Sequence, residues 1–123
     1  MSNKEVYIVA AARTAVGSFG GSLAPGPTPS LGSIVIKGAL ERAGLSGGSV
    51  EAVTMGCVLS AGQGQAPARQ ASLGALIPES VPCTTVNKVC GSGLQAVMYA
   101  RREVMVGEAD RHSTPFVAYS MFV

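Results

Sequence analysis

Charge is scarce in this sequence. Lys, Arg, Asp and Glu make up 13% of its 123 residues, about half the ~25% usual in soluble domains. A net charge of +2 leaves no electrostatic footprint for nucleic acid or an anionic membrane surface. Tryptophan is absent and histidine occurs once, as His112. The three cysteines, Cys57, Cys83 and Cys90, are odd in number and form no C-x-x-C pair. That excludes a disulfide framework and a zinc site of the usual spacing, so no metal is expected and a reducing compartment, the cytoplasm, fits best. No apolar run approaches a membrane span. Val6–Ala12 follows Lys4 but is minimal for a signal-peptide core, and Glu5 interrupts its basic flank. Neither Asn3 nor Asn87 opens a glycosylation sequon. Gly62-x-Gly64 lacks the third glycine of a dinucleotide loop, Pro67 standing there, and no Walker pattern occurs.

What the chain has instead is apolar and small. Hydrophobic residues reach 47% and glycines number 16, enough for one domain with a modest core. So little charge on so apolar a chain also suits a piece of something larger, whose faces are covered by other domains or subunits.

The pattern alternates between strands and helices. Val6-Tyr7-Ile8-Val9-Ala10 reads as a buried first strand, followed by a glycine-rich loop over Arg13–Ser22. Ser30 is a candidate N-cap for a helix with Leu31, Val35, Ala39 and Ala43 on one apolar side, and Gly44 stops it. A turn at Ser46–Ser49 leads to a strand over Val50–Leu59, with Val53, Met55, Cys57 and Leu59 on one face. Pro67 opens a short helix through Leu73, closed off by Pro78. Val81–Val89 is a third strand. Leu94, Val97, Met98, Val104 and Met105 then mark a buried helix face, with Met98 and Met105 as core residues and Gly107 at the end. Arg101, seven residues after Leu94, falls on that same face and must snorkel or find an acidic partner. Arg101-Arg102, Lys37 and Arg42 read as solvated surface. This order, β-α-β-α-β-α, predicts an α/β fold with a parallel central sheet. After Asp110 the character changes: three of the six aromatics, Phe116, Tyr119 and Phe122, lie in the last eight positions, behind Arg111–Pro115, where a fourth strand is due.

Chemistry concentrates at Val86-Asn87-Lys88-Val89-Cys90-Gly91-Ser92-Gly93-Leu94. Cys90 sits where a strand turns into a helix, with Gly91 and Gly93 allowing a sharp turn. The unpaired amides of a helix start favour negative charge beside them, which is the setting of a sulfur nucleophile. A lone cysteine is also a good core filler, and local physics alone leaves both readings open.

The same stretch, with Gln95 and Ala96, resembles the active-site signature of the thiolases, in wording close to their short-chain members. Ile8–Thr14, Leu31–Gly44, Met55–Leu59 and Gln63–Ala71 resemble that family's opening strand, first helix, second strand and following loop and helix, in order. The resemblance runs from about Val6 to Asp110, implying a partial thiolase N-terminal domain over 1–110, the start of a thiolase-type layered domain, with a divergent tail over 111–123. It implies an acyl-CoA acyltransferase that condenses two acetyl-CoA to acetoacetyl-CoA and CoA, or runs the reverse thiolysis, through an acyl-cysteine. Cys90 would be the acylated nucleophile and its backbone N–H an oxyanion donor, with Asn87, Gly91, Ser92 and Gly93 in support. No bound cofactor is implied, since CoA thioesters are substrates, and no residue here is assigned to CoA. The full-length family implies a homo-oligomer without nucleic acid or membrane. The family's Gly-His-Pro and Cys-x-Gly-Gly-Gly motifs do not occur in these 123 residues, and His112 lies in no matching motif. The expectation is therefore little complete turnover by this chain alone. The alternative is a non-catalytic fragment that at most associates with a full-length thiolase.

Overall fold

A computed structural model describes residues 5–106 and the strand at 116–121. Helix α1 spans Thr28–Ala43, a 3-10 turn Gly47–Ser49, strand β1 Ala52–Cys57, helix α2 Pro67–Gly74, strand β2 Cys83–Val86, helix α3 Ser92–Val106 and strand β3 Phe116–Met121. The three strands form one parallel sheet in the order β2-β1-β3. Met55 pairs with Thr85 on one side and Tyr119 on the other.

Every residue of β1 from Val53 to Cys57 is buried, because both sheet faces are covered. Val53, Met55 and Cys57 point into a core with Ile36 and Leu40 of α1 and Ala68, Ala71 and Ala75 of or beside α2. Gly56, of opposite parity, lies under the start of α3. Helices α1 and α2 pack together through small residues. Buried Ser33 donates to the Pro29 and Ala71 carbonyls, at 3.0 Å each, and Gly74 lies so close to the Ser33 hydroxyl that it has no room for a side chain.

Connectivity explains the layers. The step β1→β2 runs one way across the sheet, and β2→β3 runs back past β1. Right-handed crossovers must then place α2 and α3 on opposite faces.

Four sequence expectations are corrected. The segment Val6–Ala10 forms no strand: Tyr7, Ile8 and Val9 are 70–80% exposed. Strand composition alone does not make a strand: the run has to pair, and it pairs with none of β1, β2 and β3. Arg42 reaches back to the Ala11 carbonyl, fixing the end of that segment beside α1. Ser30 is not the N-cap. The helix starts at Thr28 after Pro27, and the Thr28 N–H donates to Gln63 Oε1 at 3.1 Å, so a distant side chain replaces the local cap. Its inward face centres on Gly32, Ser33, Val35, Ile36 and Leu40, with Leu31, Ala39 and Ala43 half-buried. Gly44 does end the helix, with φ +67. Leu59 lies beyond β1 and is exposed.

The fourth correction concerns α3. Its buried residues are Ser92, Gln95, Ala96 and Ala100, whereas Leu94 and Met98 are exposed and Met105 is half-buried. Small residues let this helix lie close on the sheet, leaving Val97, Val104 and Met105 half-buried beside the contact and Leu94 and Met98 outside it. Arg101, on the Leu94 side, is exposed and needs no buried partner. Gly107 and His112 lie outside the described residues. The place where a fourth strand was due holds β3, which is the third strand because the first did not form.

Burial also has a pH consequence. Desolvation pushes the Cys57 thiol above its ordinary value of 9.0. In alkaline solution the unfolded chain releases this proton before the folded chain does. Stability therefore falls as pH rises from the unfolded value through the folded one. The urea midpoint is expected to drop more steeply with pH above about 9 in the wild type than in Cys57→Ala. Equal slopes would mean that Cys57 is not desolvated.

Candidate active site

The carboxyl ends of β1 and β2 lie side by side at the end of the sheet where open α/β folds hold their ligands. The loops after β1 and β2 meet there. Asn87, the first residue past β2, donates from Nδ2 to the Val58 carbonyl at 3.3 Å and accepts the Val89 N–H on Oδ1 at 3.0 Å. The loop after β1 is braced by Gln70, whose Nε2 donates to the Gln63 and Gln65 carbonyls at 2.8 Å each. Thr85 Oγ1 accepts the Ala68 N–H at 3.1 Å, tying the start of α2 to β2.

The turn into α3 is dense with hydrogen bonds. The Gly91 N–H donates to the Lys88 carbonyl at 2.9 Å, the Ser92 N–H to the Val89 carbonyl at 3.1 Å, and the Gln95 N–H to the Gly91 carbonyl at 2.9 Å. Buried Ser92 Oγ accepts the Lys88 N–H at 2.9 Å and donates to the Val89 carbonyl at 2.6 Å. Lys88 Nζ donates to Gln95 Oε1 at 2.9 Å. Cys90 stands at the crest of this turn, free and exposed, while Cys57 is buried and Cys83 half-buried. A sulfur placed there is open to a reactant, and a core-filling role for Cys90 is ruled out.

Asn87, Cys90, Gly91, Ser92 and Gly93 are thus brought into one turn. The glycines do not make it sharp. Neither Gly91 nor Gly93 has a positive φ, whereas Val89 has φ +46. Sequence reasoning gave the sharp turn to the two glycines and missed the left-handed, β-branched Val89. It also missed Gly56: a Cβ there would lie 2.6 Å from Gly93 N and 2.8 Å from Ser92 Cβ, so β1 must be bare where the turn rests. The signal available was Asn87 at a strand end with Ser92 five residues on, both formers of side-chain-to-backbone bonds.

Among the described residues no group of three or more His, Cys, Asp or Glu is placed to hold a metal ion. No helix among them is long and apolar enough to cross a membrane.

The structure is thus a parallel α/β layer with an exposed cysteine in the turn between β2 and α3. Comparison with known proteins is specific. The family profile described as "Thiolase, N-terminal domain" matches residues 6–112, and the chain belongs to the thiolase family. It is 60% identical over 106 residues to acetyl-CoA acetyltransferase of Cupriavidus necator, covering 86% of this chain and 27% of that protein. It is 55% identical over 107 residues to human mitochondrial acetyl-CoA acetyltransferase, covering 87% and 25%. The crystal structure of Acat5 thiolase from Ascaris suum in complex with coenzyme A superimposes with a TM-score of 0.83 at 41% identity, over 85% of this chain and 27% of that one. The chain spans about a quarter of the length of the relatives it matches.

Proposed function

We propose that this chain carries the acyl-accepting part of an acetyl-CoA acetyltransferase, with Cys90 as the nucleophile. The observation that carries the reading is the free, exposed Cys90 in the turn from β2 into α3, inside the segment matched by the family. The Cys90 sulfur, as thiolate, attacks the carbonyl carbon of acetyl-CoA. The new S–C bond forms as the bond to the CoA sulfur breaks, and CoA leaves as a thiolate that takes up a proton. The Cys90 N–H, at the entry to α3, would support the oxyanion formed in between. Exchange of one thioester for another is close to balanced, so a thiol is the right nucleophile. The second step is attack by a second acetyl-CoA deprotonated at its methyl carbon. It draws on groups that the Gly-His-Pro and Cys-x-Gly-Gly-Gly motifs would supply, and neither motif occurs here.

CoA thioesters are the substrates in this reading, with no resident cofactor. Fatty acid and ketone metabolism is the setting it suits. Free thiols fit a reducing compartment such as the cytoplasm, although the human relative's name places that protein in mitochondria. Residues 111–123, beyond all but the last two positions of the family match, are the divergent part. A second reading, association with a full-length thiolase or a second copy, is favoured by exposed Ile8, Val9, Leu94 and Met98.

Incubated with acetyl-CoA, the chain is expected to gain the mass of a single acetyl group, and Cys90→Ala none. Thiolysis of acetoacetyl-CoA is expected to be slight. Absence of any acetyl adduct would overturn the acyl-accepting reading, and vigorous thiolysis lost in Cys90→Ala would overturn the incomplete-turnover part.

A further inference from the structure

We propose that Ser92 is a positioning residue: its buried hydroxyl locks Val89 in the left-handed conformation and so fixes how Cys90 is presented. The proposal rests on the reading of Cys90 as acyl acceptor. Val89 is an improbable residue for φ +46, because a β-branched side chain crowds the backbone there. Such conformations persist only where the surroundings over-determine them. Packing of the Val89 side chain does not do so, since it is 66% exposed.

The peptide groups on either side are held instead. Ser92 Oγ donates to the Val89 carbonyl, which also accepts the Ser92 N–H, and it accepts the Lys88 N–H one peptide further back, while the Lys88 carbonyl of the peptide before Val89 accepts the Gly91 N–H. Ser92 is 0% exposed and lies against bare Gly56. Its hydroxyl therefore has no water to turn to, and the turn is its partner. Asn87 holds the Val89 N–H from the other side. Within α3 itself the hydroxyl makes no bond that the helix depends on, its two partners being Lys88 and Val89. Cys90 immediately follows the locked residue, so release of Val89 swings the sulfur relative to the start of α3 while leaving it exposed.

The test is a cycle on the full chain: wild type, Ser92→Ala, Val89→Gly and the double variant. Peptide mass spectrometry gives the rates at which acetyl-CoA acylates Cys90 and iodoacetamide alkylates it, and NMR gives exchange of the Gly91 amide. Ser92→Ala is expected to slow acylation about tenfold, the scale of one or two lost hydrogen bonds, with alkylation nearly unchanged. Gly91 exchange should accelerate by a similar factor. Glycine adopts positive φ freely, so Val89→Gly should restore both acylation and Gly91 protection in the Ser92→Ala background. A purely structural role for Ser92 predicts no such rescue. Unchanged acylation in Ser92→Ala, or failure of Val89→Gly to rescue, overturns the proposal. If the wild type takes no acetyl group, the acyl-accepting reading fails, and the exchange data decide the lock by themselves.

Discussion

Gly56→Ala is expected to lower the unfolding free energy by about 1–3 kcal/mol, the cost of forcing an extra carbon into a packed interior. The position is a single bare spot on β1 with the backbone of Ser92 and Gly93 directly above it. Those atoms belong to the turn and first residues of α3 and cannot rotate away as a flexible side chain would. The added carbon must lift the helix start or bend the strand, whose ladders to β2 and β3 resist bending. Urea unfolding measures the loss. Amide shifts confined to Ser92, Gly93 and the Cys90 turn would show that the helix start has given way. A change within about 0.5 kcal/mol, as at an ordinary surface site, would contradict the close seating of α3 on β1.

The second large effect distinguishes two isoleucines on one helix. Ile36 is fully buried in the core with Val53 and Met55, and Ile36→Ala is expected to cost about 2–5 kcal/mol. Ile34, two residues earlier, is 59% exposed, and Ile34→Ala should stay within about 0.5 kcal/mol of wild type. The pair of urea midpoints checks the orientation of α1 directly. Similar losses at both sites would mean that the helix is rotated or that its outer face is covered.

These two helices show what could be read in advance and what could not. The stop of α1 at Gly44 and the start of α2 at Pro67 follow from backbone chemistry local to one residue, and both are where the sequence places them. The inward alternation of Val53, Met55 and Cys57 is likewise local to one strand. The parallel α/β architecture follows from the spacing of such segments.

Failures arise where the deciding partner is remote. Val6–Ala10 has strand composition, but a strand needs a pairing partner, and this segment pairs with none of the three strands. The residues Phe116–Met121 have strand composition too, rich in aromatic and β-branched types, yet the change in character before them obscured it. On α3 hydrophobic periodicity pointed to Leu94 and Met98, although Ala96, Ala100 and the polar Ser92 and Gln95 face inward. Periodicity reports which residues prefer to be buried. It does not report that a helix has to approach a glycine closely.

The site was legible to a similar degree. Cys90 between a strand and a helix, flanked by Asn87 and Ser92, could be read from types and order. The left-handed Val89 could not, because nothing in a valine announces it. Nor could the bond from Asn87 to the Val58 carbonyl, which joins two loops that only the sheet order brings together.

In the proposed reading, the turn into α3 singles out one of the three cysteines for acyl transfer. The measurement that bears on it most directly is peptide-level mapping of acetyl groups after brief exposure of the folded chain to acetyl-CoA. Acetyl on Cys90, with the half-buried Cys83 and buried Cys57 unmodified, is the result predicted. Acetyl on Cys83, or spread among the cysteines in proportion to their exposure after unfolding, would contradict it.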